Sequence, residues 1–184
     1  MAAAASTSPA PSTDPTATTT LITEKKEEEG EETRRLTVRC QCGAVEFPTP
    51  AAQPTRLFHC HCTECQKQSG SAFGTSAIYP AADLFPLARD LEAKLGLYTR
   101  PTDRGGVMDC YFCAACGSRL FHRLRDGADG GAPRATVSIK GGCIEGLDWG
   151  RQRDGGGAHI YVRSAVMRIP PDWEQYDTVP PSMQ

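Results

Sequence analysis

His59-Cys60-His61-Cys62-Thr63-Glu64-Cys65-Gln66-Lys67-Gln68-Ser69-Gly70-Ser71-Ala72-Phe73-Gly74 carries three cysteines in a CxCxxC pattern. Two further clusters flank it, Cys40-Gln41-Cys42 upstream and Cys110-Tyr111-Phe112-Cys113-Ala114-Ala115-Cys116-Gly117 downstream. Eight of the nine cysteines fall in these clusters, and Cys143 stands apart. Thiolates bind zinc strongly, and zinc takes four ligands in a tetrahedron. CxC and CxxC spacings let one tight turn present two sulfurs to a single ion. The middle cluster offers three sulfurs, one short of a closed site. Three protein ligands and one open position is how a catalytic zinc is built.

The simplest partition uses seven cysteines and two zinc ions per chain. Cys40 and Cys42 pair with Cys113 and Cys116, since both knuckles sit between expected strands and each is followed by a glycine, Gly43 or Gly117. Four thiolates leave no open position, so this site reads as structural. Cys60, Cys62 and Cys65 then hold a second zinc whose fourth position is free for water or substrate. A thiol arriving there loses its proton on coordination and becomes a nucleophile at neutral pH. A closed second site is the alternative, completed by Cys110, His59 or His61. On a strand Cys110 shares its face with Phe112, which also allows it to be plain core. Cys143 reads as a small buried residue, and His122 and His159 as hydrogen-bonded core or surface histidines. The spacings do not match ferredoxin patterns, which favours zinc over iron–sulfur. No Ser-His-Asp arrangement, phosphate loop or dinucleotide fingerprint is present.

The chain has 184 residues and a net charge of −2, with an isoelectric point near 6.1. Neither number suggests nucleic-acid binding by bulk charge. No apolar run is long enough for a membrane span, and the N-terminus lacks the apolar core of a secretory signal. A soluble, cytoplasmic protein is expected, in a reducing compartment where disulfides do not persist. Residues 1–20 are almost all Ala, Ser, Thr and Pro, and Glu24 to Glu32 is a charge run. Neither stretch can bury enough apolar surface to offset its ordering entropy. The expected organisation is a disordered tail over 1–33, one zinc-binding domain over 34–178, and a C-terminal tail over 179–184.

Within the domain, alternation and turn residues predict short strands over 36–40, 44–47, 56–59, 73–79, 95–99, 107–112, 119–122, 135–139 and 159–162. Thr63 to Gln68 predicts one or two helical turns, with Thr63 as N-cap and Gly70 as terminator. A short helix is expected at Ala81–Leu84, exposed Gly-rich loops at 126–133 and 150–157, and irregular chain over 169–184. Many short strands and little helix make a mainly β fold, a single domain stapled by zinc, which supplies folding free energy directly.

The order CxCG, then HCxCxxCxxxxG, then FCxxCG resembles the glutathione-dependent formaldehyde-activating enzyme family, which also contains centromere protein V. The resemblance runs from about Leu36 to Tyr176. It implies a fold of short coiled antiparallel strands. It implies a structural zinc on Cys40, Cys42, Cys113 and Cys116, and a catalytic zinc on Cys60, Cys62 and Cys65. The implied activity joins glutathione and formaldehyde to give S-hydroxymethylglutathione, a carbon–sulfur lyase reaction in reverse. The partners are then a small thiol and an aldehyde. The backbone amides of Ser69-Gly70-Ser71 are expected as donors to the alkoxide. Two departures stand out: Cys110 is extra, and Arg163–Arg168 lies where many members have a tryptophan. A different class of function is a non-catalytic zinc-stapled binding module or a thiol or zinc sensor. The acidic tail weighs against a chromatin role.

Overall fold

The computed structural model describes residues 34–152 and 157–183. The expected 1–33 tail, and 153–156 of the second Gly-rich loop, lie outside the described residues. Arg35–Gln184 forms one compact unit. It is mainly β, as the sequence predicts.

A small sheet is built from β1 (Thr37–Arg39), β2 (Glu46–Pro48) and β9 (Ile144–Glu145), in the order β2-β1-β9. The large sheet contains β3 (Arg56–Cys60), β4 (Gly74–Pro80), β5 (Leu95–Pro101), β6 (Val107–Cys113), β7 (Arg119–Arg125), β8 (Thr136–Lys140), β10 (Gly157–Ile160) and β11 (Gln175–Tyr176). Its spatial order is β11-β10-β3-β4-β8-β7-β6-β5. Pairing is antiparallel except at one end, where β10 runs parallel to both β3 and β11. Among the described residues two short α-helices accompany the sheets, α1 (Thr63–Ser69) and α2 (Arg89–Glu92).

The period of two along each strand gives the large sheet two unlike faces. Leu57, Ala77, Val137, Ile139 and Phe121 share one face by register. They pack with Val38, Phe47 and Ile144 of the small sheet in one apolar cluster. Phe121 is fully buried and stacks on Tyr111 at 4.6 Å, with Phe47 and Phe85 edge-on. The opposite face carries Phe58, Ser76, Ile78, Ser138, Lys140 and His122, again by register. That face walls a cavity.

Several local expectations change. The N-cap of α1 is Cys62, not Thr63: its sulfur accepts from the Cys65 N–H at 3.4 Å. Gly70 ends the helix as expected, in the left-handed region at φ +58°, where glycine is unstrained. Ala81–Leu84 makes only a turn, with Leu84 and Phe85 N–H groups donating to the Ala81 carbonyl. Pro86 has no N–H to continue it, and the helix forms later, at Arg89. The strand expected over 159–162 ends at Ile160, because Tyr161 turns left-handed at φ +56°. Residues 169–183 are less irregular than expected, holding β11 and a 3₁₀ turn at Pro181–Met183. Val179, assigned to a C-terminal tail, is buried, and Met183 packs on the same cluster. No helix among the described residues is long and apolar enough to cross a membrane.

Candidate metal centres and the cavity beside the second

The first cluster is made by two matching turns. In the β1–β2 turn the Cys40 N–H donates to Val45 O at 3.1 Å and the Gly43 N–H to Cys40 O at 3.0 Å. In the β6–β7 turn the Cys113 N–H donates to Ser118 O at 2.9 Å and the Gly117 N–H to Cys113 O at 2.8 Å. Gly43 and Gly117 both stand at φ +75°, the conformation that lets each knuckle close. The sulfurs of Cys40, Cys42, Cys113 and Cys116 lie within 4.8 Å of one another. Ser118 bridges the two turns, since its Oγ accepts the Gln41 N–H at 3.1 Å and lies 3.2 Å from Cys116 Sγ. The Ser118 hydroxyl, with its backbone N–H, pulls the Cys116 thiol down to about 5. The Val45 N–H points at Cys40 Sγ from 3.2 Å. Amide and hydroxyl donors aimed at sulfur favour thiolates, which is what a metal requires.

The second cluster is built where β3 runs into α1. Cys60 is the last residue of β3, Cys62 caps the helix, and Cys65 lies in its first turn. Their three sulfurs also lie within 4.8 Å of one another. Gln66 fastens the knuckle, its Nε2 donating to His61 O at 2.8 Å and Ser164 O at 2.9 Å. Gln68 Nε2 donates to Cys65 Sγ at 3.4 Å. The three thiols titrate as a unit. Hydrogen bonds from Cys60 and Cys65 pull Cys62 down to about 2, while Cys62 and then Cys65 push Cys60 far up. One negative charge is thus easily held and further ionisation is resisted, the condition a divalent cation relieves. This donor set, three soft sulfurs already converged, fits zinc.

Among the described residues no His, Cys, Asp or Glu joins these three as a fourth ligand. His61 is fully buried, and its Nε2 meets His159 Nδ1 at 2.8 Å. His159 stacks on His59 at 4.8 Å and lies 5.1 Å from the Trp173 ring. The two histidines expected as possible fourth ligands are therefore committed to an aromatic stack. Cys110 is buried with its thiol toward Met108 O, and it belongs to neither cluster. Cys143 is partly buried against the main core and lies 3.4 Å from Arg119 O. Of the two histidines expected in the core or at the surface, both are buried, and His122 also lines the cavity.

The cavity, about 250 Å³, has Cys60, Cys62 and Cys65 in its wall. Tyr161, Arg100, Lys140 and His122 also line it. Burial pushes the Lys140 ammonium down, opposed by the Cys65 and Cys60 sulfurs. Burial pushes the Tyr161 phenol up, aided by Asp103 and by Cys60 and Cys62. The Ser69-Gly70-Ser71 loop does not line the cavity. Its amides are also taken, because the Gly70 and Ser71 N–H groups both donate to Gln66 O. The expected oxyanion role of that loop has no support in this geometry.

The pattern of the glutathione-dependent formaldehyde-activating enzyme family matches residues 35–164. The chain belongs to this family. Both cysteine clusters fall inside the matched interval. A Podospora anserina protein named "Putative glutathione-dependent formaldehyde-activating enzyme" is 29% identical over 91 residues, covering 48% of this chain and 39% of that relative. The match thus spans about two fifths of the relative's length. In this glutathione-dependent formaldehyde-activating enzyme family member, Trp173 and Val179 lie beyond the family match yet back the His159 stack and the second core cluster. Sequence reasoning missed Arg100, Lys140 and Tyr161. Lys140 alone left a usable signal, since Val137 and Ile139 alternate inward and put Lys140 on the other face.

Proposed function

We propose that this protein is a zinc-dependent carbon–sulfur lyase acting on glutathione–aldehyde adducts, similar to an S-(hydroxymethyl)glutathione synthase. The observation that carries the reading is the convergence of three sulfurs at the wall of a cavity, with no fourth protein ligand among the described residues. Cys60, Cys62 and Cys65 are the proposed ligands of a catalytic zinc, and Cys40, Cys42, Cys113 and Cys116 those of a structural one. A zinc in the three-sulfur site supplies a Lewis acid that lowers the pKa of a thiol and polarises an oxygen.

In the synthetic direction the substrate thiol gives up its proton and its sulfur attacks the carbonyl carbon. The carbon–sulfur bond forms, the carbonyl π pair moves to oxygen, and the oxygen takes a proton. The reverse breaks the same bond. Tyr161 is the proposed donor to that oxygen. Its phenol is protonated at neutral pH as any tyrosine is, burial and neighbouring charge push it further up, and it can therefore donate a hydrogen bond to a developing alkoxide. Its strained left-handed backbone is fixed by the Tyr161 N–H to Thr178 O bond at 2.8 Å, and strain of this kind is commonest at functional sites. The 34–178 interval is the proposed catalytic domain. A cytoplasmic location suits chemistry that depends on reduced thiols.

The test is exchange between free glutathione and its formaldehyde adduct, followed by NMR on zinc-loaded protein. Acceleration over buffer, lost in Cys62→Ser, is expected. Exchange no faster than buffer across formaldehyde and larger aldehydes would sink the lyase reading and move weight to a binding or sensing role.

A further inference from the structure

The three-sulfur cluster occupies only part of the cavity wall. Two strands away from Cys60, across β4, the wall turns cationic. Lys140 pairs with Ser76 across strands, and its ammonium donates to Ser76 Oγ at 3.0 Å. Arg100 reaches the same space from β5. Among the described residues neither has a carboxylate within ion-pair distance. The acidic groups that line the cavity are already engaged: Asp103 with Arg163, Asp126 with Arg134, and Glu64 with Lys67. The cysteine sulfurs act on both cations from a distance, but neither cation has a carboxylate partner, and a partly desolvated cation gains from a close, hydrogen-bonded one.

A second observation points to a ligand. His122 lies in the same wall, only 4% exposed, and its Nε2 has no hydrogen-bond partner. Buried polar atoms in folded proteins are ordinarily paired, so an unpaired ring nitrogen on a cavity-lining residue is a candidate partner for a ligand atom. Ser138 sits directly opposite His122 on β8 and adds a hydroxyl to the wall.

We propose that Lys140, Arg100 and His122 form a carboxylate subsite, which grips an acidic arm of the thiol whose sulfur lies at Cys60, Cys62 and Cys65. This rests on the thiol-substrate reading above and adds to it the substrate's charge. Two inter-strand spacings separate β3 from β8, about 10 Å, and the lysine side chain shortens that gap. A small peptide-like thiol with a carboxylate a few bonds from its sulfur spans this distance; a neutral alkyl thiol leaves the cations unanswered. The subsite makes the protein selective for acidic thiols over neutral ones of similar size.

The probes are S-methylglutathione, which has both carboxylates and no free thiol, and its diethyl ester. Binding to the zinc-loaded full-length protein is measured by titration calorimetry. The acid is expected to bind roughly tenfold or more tighter than the ester, the scale of one charge-assisted contact. Lys140→Met and Arg100→Gln are expected to remove that preference with zinc content unchanged, and Lys140→Arg to retain most of it. Equal binding of acid and ester, no binding of the acid, or a preference that survives both neutral substitutions in folded protein overturns the subsite. Because the probes have no thiol, the result is separate from turnover. Acid-over-ester preference without accelerated exchange sinks the lyase reading alone; accelerated exchange without the preference sinks the subsite alone.

Discussion

Replacing Cys113 by alanine tests whether the first sulfur cluster staples the fold. Cys113 is fully buried, and its sulfur lies 3.9 Å from that of Cys42, 71 residues away in sequence. A metal shared by the two knuckles would close that loop. The loop-closure entropy for a link of this length is about 4 kcal/mol at room temperature on the disulfide formula. Losing a thiolate from a four-sulfur site also forfeits most of the metal's own affinity, so this figure is a lower bound. Domains of this size are stable by only about 5–15 kcal/mol. At about 2–4 °C per kcal/mol, a fall in melting temperature of roughly 10–15 °C or outright unfolding is expected. The assay pairs thermal denaturation with zinc content, using Cys143→Ala as the control. Cys143 belongs to neither cluster, and its loss should cost about 1 kcal/mol or less. A Cys113→Ala protein that keeps the parent's zinc content and melts within about 3 °C of it, a shift worth only about 1 kcal/mol, refutes the staple.

Tyr161→Phe should leave zinc content unchanged and slow exchange by roughly 10–100-fold, the range for losing a positioned proton donor; an unchanged rate removes Tyr161 from the mechanism. Phe121→Ala should cost about 3–5 kcal/mol in denaturant unfolding, because a fully buried ring packed by Tyr111, Phe47 and Phe85 leaves a cavity, and a loss below about 1 kcal/mol contradicts that packing. Burial, and then His61, push the His159 imidazole down to about 4. Between the ordinary value near 6.5 and that value the unfolded chain binds a proton the folded chain does not. Stability is therefore full above about pH 6.5 and falls as pH drops toward 4, by up to about 3 kcal/mol. His159→Phe should flatten that slope at constant metal content, and an unaltered slope excludes His159 as its source.

The knuckles were legible because ligand spacing is local. A CxC or CxxC turn brings its sulfurs together within a few residues, whatever the rest of the chain does. Gly43, Gly70 and Gly117 were legible for the same reason: each marks a left-handed backbone position at a turn or helix end. The cap of α1 was misread because propensity favours a threonine oxygen, while the cysteine one residue earlier was already in place to accept the Cys65 N–H. The helix expected at Ala81–Leu84 failed because Pro86 withholds the N–H that a second turn needs.

By itself the sequence determined the β class, the two sulfur clusters and their likeness to a family, because strand alternation and metal-binding turns are written in neighbouring residues. Only the tertiary structure decided which groups face the three-sulfur site. Lys140, Arg100, His122 and Tyr161 come from four strands or strand ends far apart in sequence and reach one cavity through the strand order. That order depends on non-local pairing, above all β10 laid parallel against β3, whose partners lie 100 residues apart. Alternation says which residues share a face of one strand; it carries no information about which strand lies next to it.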